Sequence, residues 1–229
     1  MKNIRVIIPA FNEENSVGKV IQDIPKNSVS EIIVVDNNSS DKTTEAAQKQ
    51  GATVLHENRQ GYGYACLKGM EYISQTADNE TDIIVFLDAD YSDYPEELPE
   101  VVSPVLNDGY DMVIGSRALG KKEKGSMTPQ QVFGNWLATR LIKLFYGVKY
   151  TDLGPFRAIK WDALKSLKME DKTYGWTVEM QLKAAKKGLK VCEVPVNYKK
   201  RIGVSKVSGT VKGTIGAGYK ILSWIFKYL

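Results

Sequence analysis

The segment from Ile83 to Asp90 restricts the possible folds of this chain more than any other part of the sequence. Five consecutive apolar residues run directly into the tripeptide Asp88-Ala89-Asp90. An apolar run of this kind indicates a strand buried on both faces, as in a parallel sheet covered by helices. Ligands of such sheets bind just beyond the carboxyl ends of the strands. The two aspartates are therefore predicted to lie at a binding site.

The first half of the chain alternates short apolar runs with stretches of helical periodicity. Strands are predicted at Ile4–Ile8, Glu31–Val35, Ala52–Leu55, Asp82–Leu87 and Asp111–Ile114. Helices are predicted at Glu13–Ile24, Lys42–Gln50, Gly63–Ser74 and Pro95–Leu106. This alternation predicts a single α/β domain with right-handed βαβ units and a doubly wound, mainly parallel sheet.

The second half begins with a polar, Gly- and Lys-rich stretch, Leu119–Thr128, which predicts a mobile loop beside the site. Pro129 then opens a helix with a wide apolar face, and a last α/β portion is expected over Phe156–Val196.

Acidic residues end at Glu193, and the tail Ser208–Leu229 combines lysines with Trp, Tyr and apolar residues. Such a basic amphipathic helix suits a membrane interface. The alternative is a helix that packs on its own domain or on a second copy, which would make a homo-oligomer.

Several classes of protein are disfavoured by what the sequence lacks. No window of about eighteen apolar residues occurs, so no membrane-spanning helix is predicted, and the first residues lack the apolar core of a signal peptide. Cys66 and Cys192 fit no metal or redox spacing and are expected to be reduced thiols of a cytoplasmic protein. The sequence contains neither a P-loop nor the glycines of a dinucleotide-binding turn.

The acidic pair itself suggests a chemistry. Asp88 and Asp90 repel each other unless a cation lies between or beside them. Mg²⁺ typically binds one or two protein carboxylates and completes its coordination with water and phosphate oxygens. The pair is thus consistent with a metal-bound phosphate ester. The alternative is an acidic turn that caps the next helix.

Two further predicted strands also end in polar residues, at Phe11-Asn12-Glu13 and at Asp36-Asn37-Asn38. Three polar strand ends on one edge of a sheet make a pocket for a nucleotide. Side chains that suit a base and ribose are Phe11, Glu13 and Asp36, and those that suit a diphosphate are Asp88, Asp90 and Arg117. Asn12 is also explained as a helix N-cap, with Glu13 favoured in the first turn by the helix dipole.

An ordered set of motifs resembles a known family. The set comprises Pro9–Glu13, Asp36, Asp88–Asp90 with Pro95-Glu96, Gly115-Ser116-Arg117, Asp152–Ala158 and Arg201–Lys206. In order and spacing it resembles the family 2 inverting glycosyltransferases of the GT-A fold. The closest likeness is to dolichyl- or polyprenyl-phosphate mannose or glucose synthases, and it covers nearly the whole chain, from residue 4 to about residue 210.

The resemblance implies a role for each matching residue. The nucleotide would be held by Pro9, Ala10, Phe11, Glu13, Asp36, Asp88 and Ala89. The metal, Mg²⁺ or Mn²⁺, would be bound by Asp90, with Asp88 and Ser92 beside it. Phosphates of the donor or the acceptor would contact Arg117, Arg157, Arg201 and Lys206, and the predicted catalytic set is Asp88, Asp90, Arg117 and Glu179. Two departures matter, because Ser92 stands where the subgroup often has Gln, and Gln130 and Gln131 stand where it often has Arg. Phosphate binding would then depend on Lys121, Lys122 or Lys124.

The implied reaction moves mannose or glucose from GDP-mannose or UDP-glucose to a polyprenyl phosphate. It would take place at the cytoplasmic face of a membrane, with the protein in peripheral contact with anionic lipid. Residues 1–207 would form the catalytic domain, divided into a nucleotide-sugar half (1–118) and an acceptor half (119–207), and residues 208–229 the basic helix.

Two other functions stay open at this stage. Transfer to a hydroxyl needs a general base, for which Glu179 is the candidate. Family members that attack hydroxyls usually carry Glu-Asp at this point, whereas Met180 follows Glu179 here, which favours a phosphate acceptor. Glu179 is otherwise explained by a surface ion pair with Lys183. The other function is non-catalytic binding of a nucleotide sugar or an anionic lipid. Nucleic acid is not an expected partner, because the tail is rich in bulky apolar residues.

Overall fold

A central seven-stranded sheet organises the chain in the computed structural model, which describes residues 3–76, 81–205 and 211–228. The strands are β1 (Asn3–Ala10), β2 (Glu31–Asp36), β3 (Thr53–His56), β4 (Thr81–Phe86), β5 (Met112–Ser116), β6 (Arg157–Lys160) and β7 (Val191–Pro195). Their order across the sheet is β3-β2-β1-β4-β6-β5-β7. Only β6 runs antiparallel to its neighbours, so the predicted doubly wound, mainly parallel sheet is confirmed.

Eight α-helices are described. They are α1 (Val17–Asp23), α2 (Thr43–Lys49), α3 (Tyr62–Thr76), α4 (Leu98–Asn107), α5 (Pro129–Tyr146), α6 (Trp161–Leu167), α7 (Trp176–Lys186) and α8 (Val211–Lys227). The predicted helix over Glu13–Ile24 begins only at Val17, because residues 13–16 form a hydrogen-bonded turn. None of the described helices combines the length and the apolar content that a bilayer span requires.

Alternate side chains of the central strands pack on opposite faces of the sheet. Ile7 of β1 and Phe86 of β4 belong to the layer under α3, α6 and α7, and this layer also takes in buried residues of α5 and α8. Val6 and Val85, one position away, belong to the opposite layer, under α1 and α4. Both faces of β4 are thus covered by apolar residues, as its unbroken apolar run predicts.

Strand pairing brings the polar strand ends together. Ala10 at the end of β1 is the partner of Asp36 at the end of β2, and Ile7 of β1 is the partner of Phe86 of β4. The chain beyond each of these parallel strands therefore emerges at the same edge of the sheet. The candidate site lies along this edge.

Candidate active site

Two cavities meet where the chain leaves β4. The polar cavity, of about 480 Å³, is lined by residues that include Pro9, Ala10, Phe11, Glu13, Asn37, Gln60, Gly61 and Ala89. The apolar cavity, of about 580 Å³, lies between α5 and α8 and is lined by residues that include Phe133, Leu137, Leu153, Ile221 and Leu222. Both cavities are bounded by Tyr62, Asp88, Asp90, Thr173, Tyr174, Arg201 and Ser205. A polar ligand and an apolar ligand can thus meet at the carboxylate pair.

Asp90 is held in one orientation by its own loop. Its Oδ1 accepts hydrogen bonds from the main-chain nitrogen of Ser92 (2.9 Å) and from Ser92 Oγ (2.5 Å). Its Oδ2 lies 3.0 Å from the guanidinium of Arg201. Asp90 is nearly buried, yet it borders both cavities. Ser92 therefore orients the carboxylate, and neither cavity is lined by Ser92 itself.

Asp88 is less compensated than Asp90. Burial and the neighbouring charge of Asp90 raise the pKa of Asp88 to about 7, against hydrogen bonding from Tyr62. Asp93 adds to the negative charge of this region. Its carboxylate is buried without a hydrogen-bond partner among the described residues, and burial together with the charge of Asp88 raises the pKa of Asp93 well above the usual value. The nearby cations Arg201 and Arg117 therefore do not fully offset burial and repulsion at these two carboxyls.

Tyr62 is fixed by close packing at the start of α3. Its hydroxyl donates a hydrogen bond of 3.0 Å to Asp88 Oδ1. The glycines on either side let α3 approach the main chain of Asp171 and Lys172. A Cβ at Gly63 would lie 2.0 Å from the carbonyl oxygen of Asp171, and Gly61 has a φ of +151°. This contact places the Tyr62 hydroxyl between the two cavities.

Arg201 links the segment after β7 to the two strand ends. Its Nη2 lies 2.7 Å from Glu13 Oε1, while its Nη1 contacts Asp90. Main-chain hydrogen bonds from Lys199 to the Ser92 oxygen and from Ile202 to the Asp90 oxygen hold this segment against the aspartate loop, each at 2.9 Å. A positive charge therefore already stands beside Asp90.

Arg117 is largely buried beside the apolar cavity and is paired with Asp152. Its Nε and Nη2 donate to the two oxygens of Asp152 at 2.8 and 2.7 Å, and its main-chain nitrogen donates to the same carboxylate. Burial acts to lower the pKa of Arg117, but the charge and hydrogen bonds of Asp152 outweigh it and raise the pKa above its ordinary value. The guanidinium also lies 5.0 Å from the centre of the Tyr198 ring. Arg117 is thus a permanent cation in a fixed position.

The loop over residues 170–175 supplies Thr173 and Tyr174 to both cavities. Glu179 shapes it, since its carboxylate accepts hydrogen bonds from the main-chain nitrogens of residues 170 and 171 at 2.7 and 2.8 Å. Asp171 then accepts hydrogen bonds from Thr173 and Gly175 within the loop and, at 2.6 Å, from the indole nitrogen of Trp224. Helix α8 is thereby attached to a wall of the site.

Two predicted roles are wrong in this geometry. Arg157 is fully buried and donates its hydrogen bonds to the main-chain oxygens of Leu153, Gly154 and Thr177, so no face of it is left for a phosphate. Glu179 is also fully buried and lines neither cavity, which removes it as a general base. Its predicted pair with Lys183 exists, at 2.7 Å, but it is buried rather than on the surface.

One other predicted residue, Asp36, lies away from the cavities. Asp36 does not line the polar cavity, because its carboxylate accepts hydrogen bonds from the main-chain nitrogen of Ser39 and from Thr44 Oγ1. It shapes the turn after β2, and the next residue, Asn37, lines the cavity instead. Lys206 lies outside the described residues. The remaining predicted nucleotide residues, Pro9, Ala10, Phe11, Glu13, Asp88 and Ala89, all border the polar cavity.

Sequence reasoning missed several site residues. Tyr62, Gln60, Tyr174 and Asn37 border the polar cavity, and Asp152 fixes Arg117. The glycines on either side of Tyr62 could have indicated this residue, because glycine often marks a close approach of two main chains. Tyr174 carries no such signal, since it reaches the site through a loop that is distant in sequence from the strand ends.

The residues present fit a divalent cation. Within the described part of the chain no three His, Cys, Asp or Glu side chains lie close enough to hold a metal by themselves. Mg²⁺ and Mn²⁺ sites of the phosphate-binding type need only one or two carboxylates, because phosphate oxygens and water complete the coordination. The raised pKa of Asp88 and the guanidinium standing at Asp90 Oδ2 are both consistent with a carboxylate pair suited to a cation.

Comparison with solved structures gives the fold. The glucosyl-3-phosphoglycerate synthase of Mycobacterium tuberculosis, solved in complex with Mn²⁺, UDP and glucosyl-3-phosphoglycerate, superposes with a TM-score of 0.79. The match covers 99% of this chain and 80% of that chain at 23% identity. This likeness establishes the GT-A fold.

Sequence comparison gives the family. The profile of Glycosyl transferase family 2 matches residues 5–167, and the chain belongs to this family of enzymes. An undecaprenyl-phosphate mannosyltransferase of Micrococcus luteus is 30% identical, over 92% of this chain and 89% of that protein. A dolichyl-phosphate hexose transferase of Haloferax volcanii is 31% identical, over 90% of this chain and 86% of that protein. The predicted family and the glycosyltransferase activity are confirmed, which sets aside a non-catalytic binding protein.

Proposed function

We propose that this glycosyltransferase moves a hexose from a nucleotide sugar, GDP-mannose or UDP-glucose, to a polyprenyl phosphate. The observation that carries the proposal is the junction of the two cavities at Asp88, Asp90 and Arg201. A nucleotide diphosphate suits the polar cavity at the strand ends. An isoprenoid chain suits the apolar cavity between α5 and α8, where its phosphate would come to lie near Arg117. The names of the relatives support the same acceptor class.

The proposed reaction needs no general base. An acceptor phosphate is already an anion at neutral pH, so one of its oxygens attacks the anomeric carbon while the bond from that carbon to the nucleoside diphosphate breaks. The anomeric configuration is inverted in such a single displacement. Burial of Glu179 in main-chain hydrogen bonds agrees with a site that has no base at this position.

Charge stabilisation then supplies much of the catalysis. Asp90, with Asp88 beside it, would hold Mg²⁺ or Mn²⁺, and the ion would supply charge stabilisation to the leaving diphosphate. Arg201 would leave Asp90 and contact a phosphate of the donor or the acceptor, and Arg117 would hold the acceptor phosphate. The acceptor places the reaction at a membrane surface, which we propose to be the cytoplasmic face. Residues 1–118 would then supply mainly the donor site and residues 119–207 mainly the acceptor site.

The test is a transfer assay with defined components. Purified protein, Mn²⁺ or Mg²⁺ and a polyprenyl phosphate in detergent are incubated with radiolabelled GDP-mannose or UDP-glucose, and the glycolipid is extracted and counted. Asp90→Asn should lower kcat/KM by roughly 10²–10³-fold with little change in thermal stability, because one preorganised electrostatic contact is lost. Asp82→Asn, at an exposed position in β4, is the matched control. Failure with both donors, or full activity of Asp90→Asn, would contradict the proposal.

A further inference from the structure

We infer that helices α5 and α8 together form a surface that docks on an anionic lipid bilayer. Eight of the eleven large hydrophobic side chains that are exposed in the described residues lie on these two helices. Exposures of 61% for Phe133, 72% for Leu144 and 72% for Tyr219 are far above those of core residues. Soluble proteins rarely expose apolar side chains in such a concentration unless the surface binds something. We call the exposed apolar side chains of α5 and α8 the docking face.

The two helices that carry the docking face are in direct contact. They lie side by side, since the Tyr146 hydroxyl donates a 2.6 Å hydrogen bond to the main-chain oxygen of Ile225. The rings of Phe145 and Phe226, both exposed, meet edge to face with centroids 5.7 Å apart. On α5 the exposed residues Phe133, Trp136, Arg140 and Leu144 recur at intervals of three and four, so they share one side of the helix.

The charge of this face fits anionic lipid. Neither α5 nor α8 contains an Asp or a Glu, whereas α5 carries Arg140 and Lys143. Lys220 and Lys227 of α8 pair with Asp171 and Glu170, so in the described residues the unpaired cations of this face lie on α5. Arg140 and Lys143 are exposed, and no acidic side chain in the described ranges forms an ion pair with either of them. A second copy docked on the same face would bring like charges together, which disfavours self-association. A helix that lies in a membrane interface buries its apolar side chains in the bilayer, and its cations are attracted to anionic headgroups.

The position of the face relative to the site supports the same partner. The apolar cavity opens between α5 and α8, and Phe133 belongs both to its wall and to the docking face. A bilayer seated on the face would therefore adjoin the cavity directly. An apolar chain could pass from the bilayer into the cavity without crossing water. The inference extends the membrane location proposed above from the tail to α5, which lies in the middle of the sequence.

Vesicle binding tests the inference. The full-length protein is sedimented with vesicles of phosphatidylcholine alone or mixed with phosphatidylglycerol, without donor or polyprenyl phosphate. We expect binding to the mixed vesicles. Trp136→Ser with Leu144→Ser should lower the partition coefficient roughly tenfold or more through lost apolar contact. Arg140→Glu with Lys143→Glu should lower it about fivefold or more for each charge.

A matched control uses cations elsewhere on the surface. Lys26→Glu with Lys49→Glu makes the same change of net charge on exposed residues near α1 and α2, and it should leave binding largely unchanged. Equal losses in both charge variants, or unchanged binding of the Trp136/Leu144 variant, would overturn the inference. So would a dimer that the Trp136/Leu144 variant dissociates while vesicle binding persists. Because no sugar transfer is measured, a negative result here is independent of the proposed reaction.

Discussion

Arg201 lies 3.0 Å from Asp90, so a guanidinium stands against the carboxylate that we propose as the metal ligand. The same guanidinium contacts Glu13 at the end of β1. A metal ion bound at Asp90 Oδ2 would compete with Arg201 for the position beside that oxygen. With a cation held at Asp90, the Nη1 side of Arg201 would be available to a phosphate, while Nη2 could keep its contact with Glu13.

This relationship predicts opposite effects of Arg201→Gln on metal binding and on turnover. In the absence of nucleotide the variant should bind Mn²⁺ a few-fold more tightly, because the competing cation is gone. Its kcat should nevertheless fall by roughly 10²-fold, as for other losses of a preorganised charge. Titration calorimetry and the transfer assay measure the two effects. Lys200→Gln, at the exposed neighbouring position, should change neither. Weaker Mn²⁺ binding to Arg201→Gln would show that the two cations do not compete.

Tyr62→Phe should weaken the site without unfolding it. The ring would still pack between the cavities, but Asp88 would lose the hydrogen bond that fixes its orientation. Hydrogen bonds to charged groups contribute about 1.5–3 kcal/mol, so kcat/KM should fall roughly tenfold to a hundredfold. Tyr64→Phe is the matched control on the same helix, because the Tyr64 ring packs against Arg59 rather than on Asp88. An equal loss in both variants would indicate a general disturbance of α3.

Metal-dependent binding of the nucleoside diphosphate should depend on pH around neutrality. The pKa of Asp88 is raised to about 7, so below that pH the carboxyl holds a proton that a cation must displace. Affinity should therefore rise with pH up to about 7 and then level off. Fluorescence titration of UDP and GDP with Mn²⁺ across this range measures it. Asp88→Asn should bind more weakly and lose the dependence; a retained slope in that variant would assign the proton to another group.

Glu179→Gln should act on stability rather than on the chemical step. Breaking a buried ion pair with Lys183 typically costs about 3 kcal/mol, and the loop over residues 170–175 would lose part of its support. In the transfer assay, the rate should depend on pH in the same way as it does in the unsubstituted enzyme. Thermal unfolding together with rates over a range of pH provides the measurement. Lys183→Gln should destabilise to a similar degree, and loss of the low-pH limb in Glu179→Gln alone would restore this residue as a base.

The sequence predicted the fold, and most of the predicted strand-end residues border the polar cavity, for a local physical reason. Periodicity marks buried strands, and parallel strands must bring their carboxyl ends to one edge. Asp88, Asp90 and Glu13 could therefore be placed together without knowledge of any contact. The sequence did not show that β6 is antiparallel, because a short apolar run has the same pattern for either strand direction.

The two wrong predictions, for Arg157 and Glu179, concern the direction in which a side chain points. Arg157 belongs to the motif Asp152–Ala158, but its guanidinium points into the interior and donates hydrogen bonds to main-chain oxygens. Glu179 turns toward the loop before α7 rather than toward the cavities. Tyr174 and the apolar cavity depend on how α7, α8 and α5 pack, and such long-range packing cannot be inferred from local periodicity.

The hydrogen bond from Trp224 to Asp171 has a consequence for the design of shortened variants. Deleting the last helix would remove more than a candidate lipid anchor, since the wall that carries Thr173 and Tyr174 would lose its outer support. Enzyme trimmed at the tail is therefore expected to handle even a fully water-soluble donor poorly. Solubilisation by truncation and preservation of the catalytic pocket are competing aims in this molecule.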